Sequence, residues 1–290
     1  MAATATTTGT PFLPAAEALS PAAPRDGLDP RLYQIAALAG LLVYGLLRLD
    51  LDVRPGRAAI ILTSVVAAQY ACARAYRLPV FDARSALISG LSLCLLLRTS
   101  WTVLAILGAV LAVASKFVIR VRGKHVFNPT NFAIVVLLLT GQAWVSPGQW
   151  GSAAFFGFLL ACLGGIVVNR AARSDVTVAF LAAYAGLLFA RSAWLGEPMT
   201  IPIHRLQNGA LLIFAFFMIS DPRTTPDRRA GRVLFALLVA LGAAFVQFRL
   251  FRTNGLLWSL AALAPLVPLI DRLLPAAPHR WPAGPLRRSE

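Results

Sequence analysis

Two short polar clusters interrupt an otherwise apolar chain, and both carry residue types that cap helices and bind anions. The first is Gly123 to Val136, GKHVFNPTNFAIVV, where Lys124 and His125 precede Asn128, Pro129, Thr130 and Asn131. Asn128 before Pro129 has the form of an N-cap followed by a first-turn proline, where the missing amide hydrogen is no loss. The free amides of that helix start, beside a cation, would favour a phosphate or a reduced flavin. The same residues serve equally as a plain cap with cations snorkelling to the membrane surface. The second cluster ends Asn208 to Pro226, NGALLIFAFFMISDPRTTP, an apolar run of helix length that stops at Ser220-Asp221-Pro222. Pro222 biases Asp221 away from helical geometry, while Asp221, Thr224 and Thr225 can bond neighbouring amides. An ordinary helix stop and a short ordered loop that holds a ligand are both consistent with that pattern.

The surrounding chain must place these clusters in a bilayer. Of 290 residues 58% are hydrophobic and 13% charged, against about 25% charged in soluble domains, which indicates an integral membrane protein. Apolar runs at about 32–47, 58–73, 85–97, 101–119, 131–145, 152–168, 176–193, 206–220, 232–248 and 256–270 predict an all-α, polytopic fold of about ten transmembrane helices. Residues 1–30 have no periodic apolar pattern and read as a disordered tail. Residues 31–272 form the membrane domain, and 273–290 a C-terminal tail. The runs 85–97 and 131–145 are short, as expected of broken or tilted helices around a central site.

The net charge of +15 is distributed between apolar runs rather than gathered on one face, which argues for membrane topology and against nucleic acid. Assigned to alternate sides, the basic residues divide nineteen to eight. By the positive-inside rule both termini and Asp221 then face the cytoplasm of a bacterial cell membrane. An internal repeat is also expected. Ser85 to Leu97 resembles Leu206 to Met218, each with a polar residue before glycine and an apolar run after it, and Thr130-Asn131 recurs as Thr253-Asn254. Five spans per half, an odd number, would make the halves (about 31–145 and 152–272) inverted relative to one another, with a ligand or ion pathway at their interface.

GKHVFNPTNFAIVV, NGALLIFAFFMISDPRTTP and Gly231-Arg-Val-Leu-Phe-Ala-Leu-Leu together resemble a family of membrane proteins that includes NqrB of the sodium-pumping NADH:quinone oxidoreductase and RnfD of the Rnf electron-transport complex. The resemblance covers roughly residues 30 to 270. It implies two inverted five-helix repeats, flavin binding, and electron movement coupled to cation transport beside other membrane redox subunits. The positions carried over are Asn128, Pro129, Asn131, Asp221, Pro222, Thr224 and Pro226. The Ser-Gly-Ala-Thr motif whose threonine takes covalent FMN in larger members does not occur, and Gly141 to Gly151 contains no threonine. The chain therefore looks more like shorter relatives found beside enediyne biosynthesis genes, and any FMN or riboflavin is expected to be non-covalent. The candidate flavin-binding set is Lys124, His125, Asn128, Thr130 and Asn131 with Asn208, Asp221, Thr224 and Thr225.

Other chemistry is not favoured. Cys72, Cys94 and Cys162 are scattered within apolar spans, and His204 and His279 stand apart, so a metal site or disulfide framework is not expected. Two functions remain open: a redox subunit with flavin between its repeats, and a permease for a small solute or ion on the same scaffold.

Overall fold

The computed structural model describes residues 29–48, 53–146, 163–169 and 173–277, all within one unit, Leu28–Trp281. Its helices begin where sequence chemistry places starts. The first, α1 (Pro30–Arg48), and α2 (Pro55–Ala75) open on proline, which costs no hydrogen bond in a first turn. The next, α3 (Arg84–Leu96), is only 13 residues long and runs into a three-residue strand, β1 (Leu97–Thr99). After α4 (Thr102–Val118) come β2 (Arg120–Val121) and β3 (Lys124–His125). These two pair through a turn in which Arg122 and Gly123 both have positive φ, the requirement of the tightest hairpin turn. Then follow α5 (Pro129–Leu138), β4 (Ala143–Val145) and a helical stretch, α6 (163–169).

In the second half, α7 (Ser174–Leu195) ends on Gly196 in the left-handed region, the usual glycine stop. Two short helices, α8 (Thr200–Leu206) and α9 (Gly209–Ile213), follow, and α9 runs into one wide turn, Phe214–Met218, with a π-type ladder. The chain closes with α10 (Arg229–Phe248), α11 (Gly255–Leu263), a tight turn around Pro265, and α12 (Val267–Leu273).

Five of the described helices are long and apolar enough to cross a bilayer: α1, α2, α7, α10, and α11 continued through α12. A sixth crossing is available if α8 and the 209–218 element, bent by 55° at their junction, count as one. The protein is thus mostly helical and multi-spanning. Two sequence expectations need correction. The run 131–145 is not one span, because α5 stops at Leu138, Gly141 turns the chain, and 143–145 pairs antiparallel with 97–99. At about 1.5 Å per residue, α3 and α5 are about 20 and 15 Å long, short of the roughly 30 Å core. The backbone beyond them needs partners inside the protein, and this strand pair supplies them. The second correction concerns the strictly all-α class, which these two small strand pairs modify. Run 152–168 falls largely outside the described residues, as do tails 1–28 and 278–290.

Packing repeats between the halves. In the first, α2 packs on α4 and α4 on α5; in the second, α7 packs on α10 and α10 on α11. Both inner contacts close on a glycine. A Cβ on Gly108 of α4 would lie 2.8 Å from the Leu137 side chain of α5, and one on Gly242 of α10 would collide with Ser259 Oγ of α11. Such close approach is how helices gain contact where no hydrophobic drive separates protein from lipid. The halves meet where Asn131 Nδ2 on α5 donates to the Leu257 carbonyl of α11 at 3.2 Å.

Candidate functional site

Four short elements start or end at two cavities on opposite ends of the bundle. At the first, α3 and α5 begin and the 209–218 element ends. Its lining includes Ser85, Ser89 and Ser92 of α3, the N-cap Asn128 and Thr130 of α5, and Asp221, together with Arg31, Gln34, His125, Phe217, Ser220 and Arg223 among others, in a volume of about 130 Å³. Serines at 85, 89 and 92 share one helix face by their spacing of four and three. Asn128 Oδ1 accepts the Asn131 amide at 3.0 Å, the N-cap foreseen, while its Nδ2 donates to Asp221 Oδ2 and to the Met218 carbonyl, both at 3.4 Å.

Local bonding explains why Asp221 is held there. Its Oδ1 accepts the Arg223 amide at 3.0 Å, and its carbonyl accepts the amides and hydroxyls of both Thr224 and Thr225. The threonines therefore face inward and brace the turn rather than the cavity. Burial raises the Asp221 carboxyl above its ordinary range, against the Arg223 backbone hydrogen bond and the charges of Lys116, Arg223 and Arg173. Burial also drives His125 down to about 3, helped by the charges of Arg223, Arg120 and Lys116, so its ring is neutral at physiological pH. Its Nδ1 is buried without a hydrogen-bond partner. Lys116, which the charge tally took for a topological cation, is 4% exposed and points inward, donating from Nζ to the Ser85 carbonyl at 2.7 Å and hydroxyl at 3.0 Å.

A ring of four ion pairs locks the mouth of this cavity. Arg31 and Arg84 each bond both Asp29 and Asp82 at 2.6–2.9 Å. Burial works to raise Asp82, but hydrogen bonds from Arg84 and the charges of Arg31 and Arg84 hold it at about 2.

Beside the cavity, sharing His125, Pro222 and Arg223 with it, lies a crevice of about 420 Å³ between the 120–125 hairpin and 267–276. Lys124 lies here, 3.1 Å from Asp227 and 2.8 Å from Asp271. Pro30 at the start of the described chain and Ala276 at its end line this pair of spaces, so both ends lie on the Asp221 face.

The second cavity, about 430 Å³, sits where α3 ends and the 209–218 element and α11 begin. Asn208, Leu211, Phe214, Asn254, Tyr184 and Gln247 are among its walls. Asn208 Oδ1 caps α9 by accepting the Ala210 amide at 2.8 Å. Along α3 the first cavity reaches Ser92 and the second begins at Leu96; in the wide turn, Phe217 lines one and Phe214 the other. One helical turn, about 6 Å, therefore separates their linings on α3, and Leu93, Ile213, Phe214 and Phe217 nearby in the chain are all buried and apolar.

Of the expected set, the structure brings together His125, Asn128, Thr130 and Asp221. Lys124 lies in the neighbouring crevice, Asn131 is 1% exposed between α5 and α11, Thr224 and Thr225 back the turn, and Asn208 belongs to the opposite cavity. The α3 serines and Lys116 were missed, although the 85/89/92 spacing was readable. Among the described residues no three His, Cys, Asp or Glu side chains gather to hold a metal, and the first cavity offers one carboxylate and neutral oxygens beside Arg31, already paired to Asp29 and Asp82, and Arg223.

These features define a membrane protein with short helices directed from both ends at a central apolar constriction. Comparison with known proteins agrees with that class: residues 141–279 match the NQR2, RnfD, RnfE family. Among similar proteins are several named as the D component of an ion-translocating oxidoreductase complex. The one from Erwinia tasmaniensis is 30% identical over 138 residues, 46% of this chain and 36% of the relative. The one from Citrobacter koseri is 27% identical over 151 residues, 51% and 40% of the two chains. This chain spans less than half the length of these relatives.

Proposed function

We propose that this protein is a membrane subunit that passes a small cation between its two cavities, as part of an ion-translocating redox assembly with other membrane subunits. The observation that carries this reading is the single apolar turn between the cavities, with Asp221 and the α3 serines on one side of it. A bent helix and a π-type turn at that point supply a joint that can rearrange, since such turns mark functional positions more often than chance. The matching packing of α2, α4 and α5 with α7, α10 and α11 supports two inverted repeats, and with them a count of about ten membrane-penetrating helices. The charge tally supports a cytoplasmic Asp221 face and cytoplasmic termini in a bacterial plasma membrane. The names of the relatives support redox partner subunits.

The expected flavin does not fit the first cavity. Small-molecule pockets run about 300–1,000 Å³, and the space around Asn128, Thr130 and Asp221 is about 130 Å³, room for a few waters or an ion. A second reading keeps a non-covalent FMN or riboflavin in the adjoining crevice of about 420 Å³, where Lys124, His125 and Arg223 would hold its phosphate or reduced ring. Denaturing the gently purified protein and analysing the supernatant by absorption for released FMN or riboflavin tests that reading. A colourless preparation retires it.

The conduit is tested in liposomes carrying the purified chain. Sodium or proton entry is expected above that of protein-free vesicles and to fall in Asp221→Asn. Entry no faster than through empty vesicles, or unchanged by that variant, would overturn the proposal.

A further inference from the structure

A further concave surface among the described residues adjoins the second cavity and runs along the lipid-facing flank where α5, α10 and α11 meet. This groove encloses about 1090 Å³. Its walls are apolar, with Leu139, Leu241 and Phe245 well exposed, and the small residues Gly242, Ser259 and Ala262 also line it. Polarity is confined to one end, where Arg252, Thr253 and Asn254 line it beside Trp144.

Length identifies the occupant. The groove follows α10 from Leu238 to Val246 and the α11 side from Asn254 to Leu263, about 12–14 Å at 1.5 Å per residue. That is about one leaflet of a roughly 30 Å hydrocarbon core. A partner's transmembrane helix would need a track across both leaflets, whereas a phospholipid needs one leaflet and one polar end. Charge selects the headgroup. Among the described residues the Arg252 guanidinium has no ion-pair or hydrogen-bond partner, whereas Asp82, Asp175, Glu197 and Asp227 are each engaged by a basic side chain elsewhere. Phe251 and Asn254 both adopt positive φ, and Asn254 leaves the start of α11 without a side-chain cap, so backbone donors open at the same end as Arg252. The turn is shaped around that polar end by bonds from the Leu250 and Arg252 amides to the Phe245 and Val246 carbonyls.

We propose that this groove is a binding site for one anionic glycerophospholipid, its acyl chains against Leu241, Phe245 and Trp258 and its phosphate at Arg252 and the start of α11. The site shares Trp144, Arg252, Thr253 and Asn254 with the second cavity, and a conduit without a bound lipid, or the reverse, separates the two ideas.

Native mass spectrometry of the delipidated chain, mixed with equal amounts of phosphatidylglycerol and phosphatidylcholine of identical acyl chains, reads the site directly. One phosphatidylglycerol should be retained about fivefold over phosphatidylcholine, the factor for about 1 kcal/mol per basic residue at a membrane surface. Arg252→Gln should bring the two to parity with an unchanged melting temperature, and Ala262→Phe, which adds bulk inside the groove, should reduce both. As a check that needs no groove-filling variant, phosphatidylglycerol brominated in its acyl chains should quench the emission lost in Trp258→Phe. Equal retention of the two lipids by the native chain, a preference that survives Arg252→Gln, or absence of quenching would overturn the proposal.

Discussion

The two cavities are built alike and equipped differently. At each, short helices begin within the protein and an asparagine caps one of them, Asn128 on one side and Asn208 on the other. Only the first cavity places a carboxylate in its wall, and only there does a buried lysine stand behind a serine-lined helix. The second has a tyrosine bonded to a glutamine, Tyr184 Oη to Gln247 Oε1 at 2.7 Å, and Arg252 at its edge. A shared scaffold therefore fixes where a solute would stop, and individual side chains decide what it is. In the proposed conduit, cation selection falls to the Asp221 side.

Asp221→Asn should break that difference with the largest effect. A unit charge at 4 Å is worth about 4 kcal/mol at an effective dielectric of 20, so cation entry into liposomes should fall by about a hundredfold or more. Stability should move the other way. Burial raises the Asp221 carboxyl, so the folded state holds its proton more tightly than the unfolded chain, and stability falls as pH rises through that raised value. The variant should melt higher than the native protein at neutral pH, with the gain vanishing below the ordinary carboxylate range, as thermal melts across pH would show.

Lys116→Met sharpens the contrast from within the first cavity. The Lys116 charge opposes the rise at Asp221, so its removal should push that carboxyl further up and shift the pH midpoint of cation entry to more alkaline values. A flux profile against pH checks the shift. Breaking the ion-pair ring at the mouth is milder. Asp82 is held at about 2, below its unfolded value, so its contribution is complete above the unfolded value and is lost as pH falls from there toward 2. Asp82→Asn should cost about 1 kcal/mol at neutral pH after allowance for its partial exposure, read by chemical denaturation. Asn208→Ala should do least. Loss of its cap should cost about 1 kcal/mol, with cation entry changed by less than about twofold, because no charge is removed.

Sequence periodicity foretold the long apolar helices α1, α2, α7 and α10, and the Asn128 cap and the break at Asp221-Pro222 were readable from residue chemistry alone. What it did not reveal came from partners distant in the chain. Residues 131–145 had the composition of a span, but the length of α5 is limited by β4 pairing with β1, a contact 46 residues away at Arg98 and Trp144. Lys116 counted as a topological cation because a single sequence does not show that Ser85, 31 positions earlier, receives its ammonium group. Thr224 and Thr225 were plausible ligands by type, yet the turn they belong to consumes their hydroxyls on the Asp221 carbonyl.

The central claim is that the two cavities open to opposite sides of the membrane across one apolar turn. In a background with Cys72, Cys94 and Cys162 replaced by serine, cysteines placed singly at Ser89 and at Asn208 can be exposed to a membrane-impermeant thiol reagent from either side of sealed vesicles. Ser89→Cys should react only from the face that carries Asp221, and Asn208→Cys only from the other. Reaction of both from the same face would contradict the account.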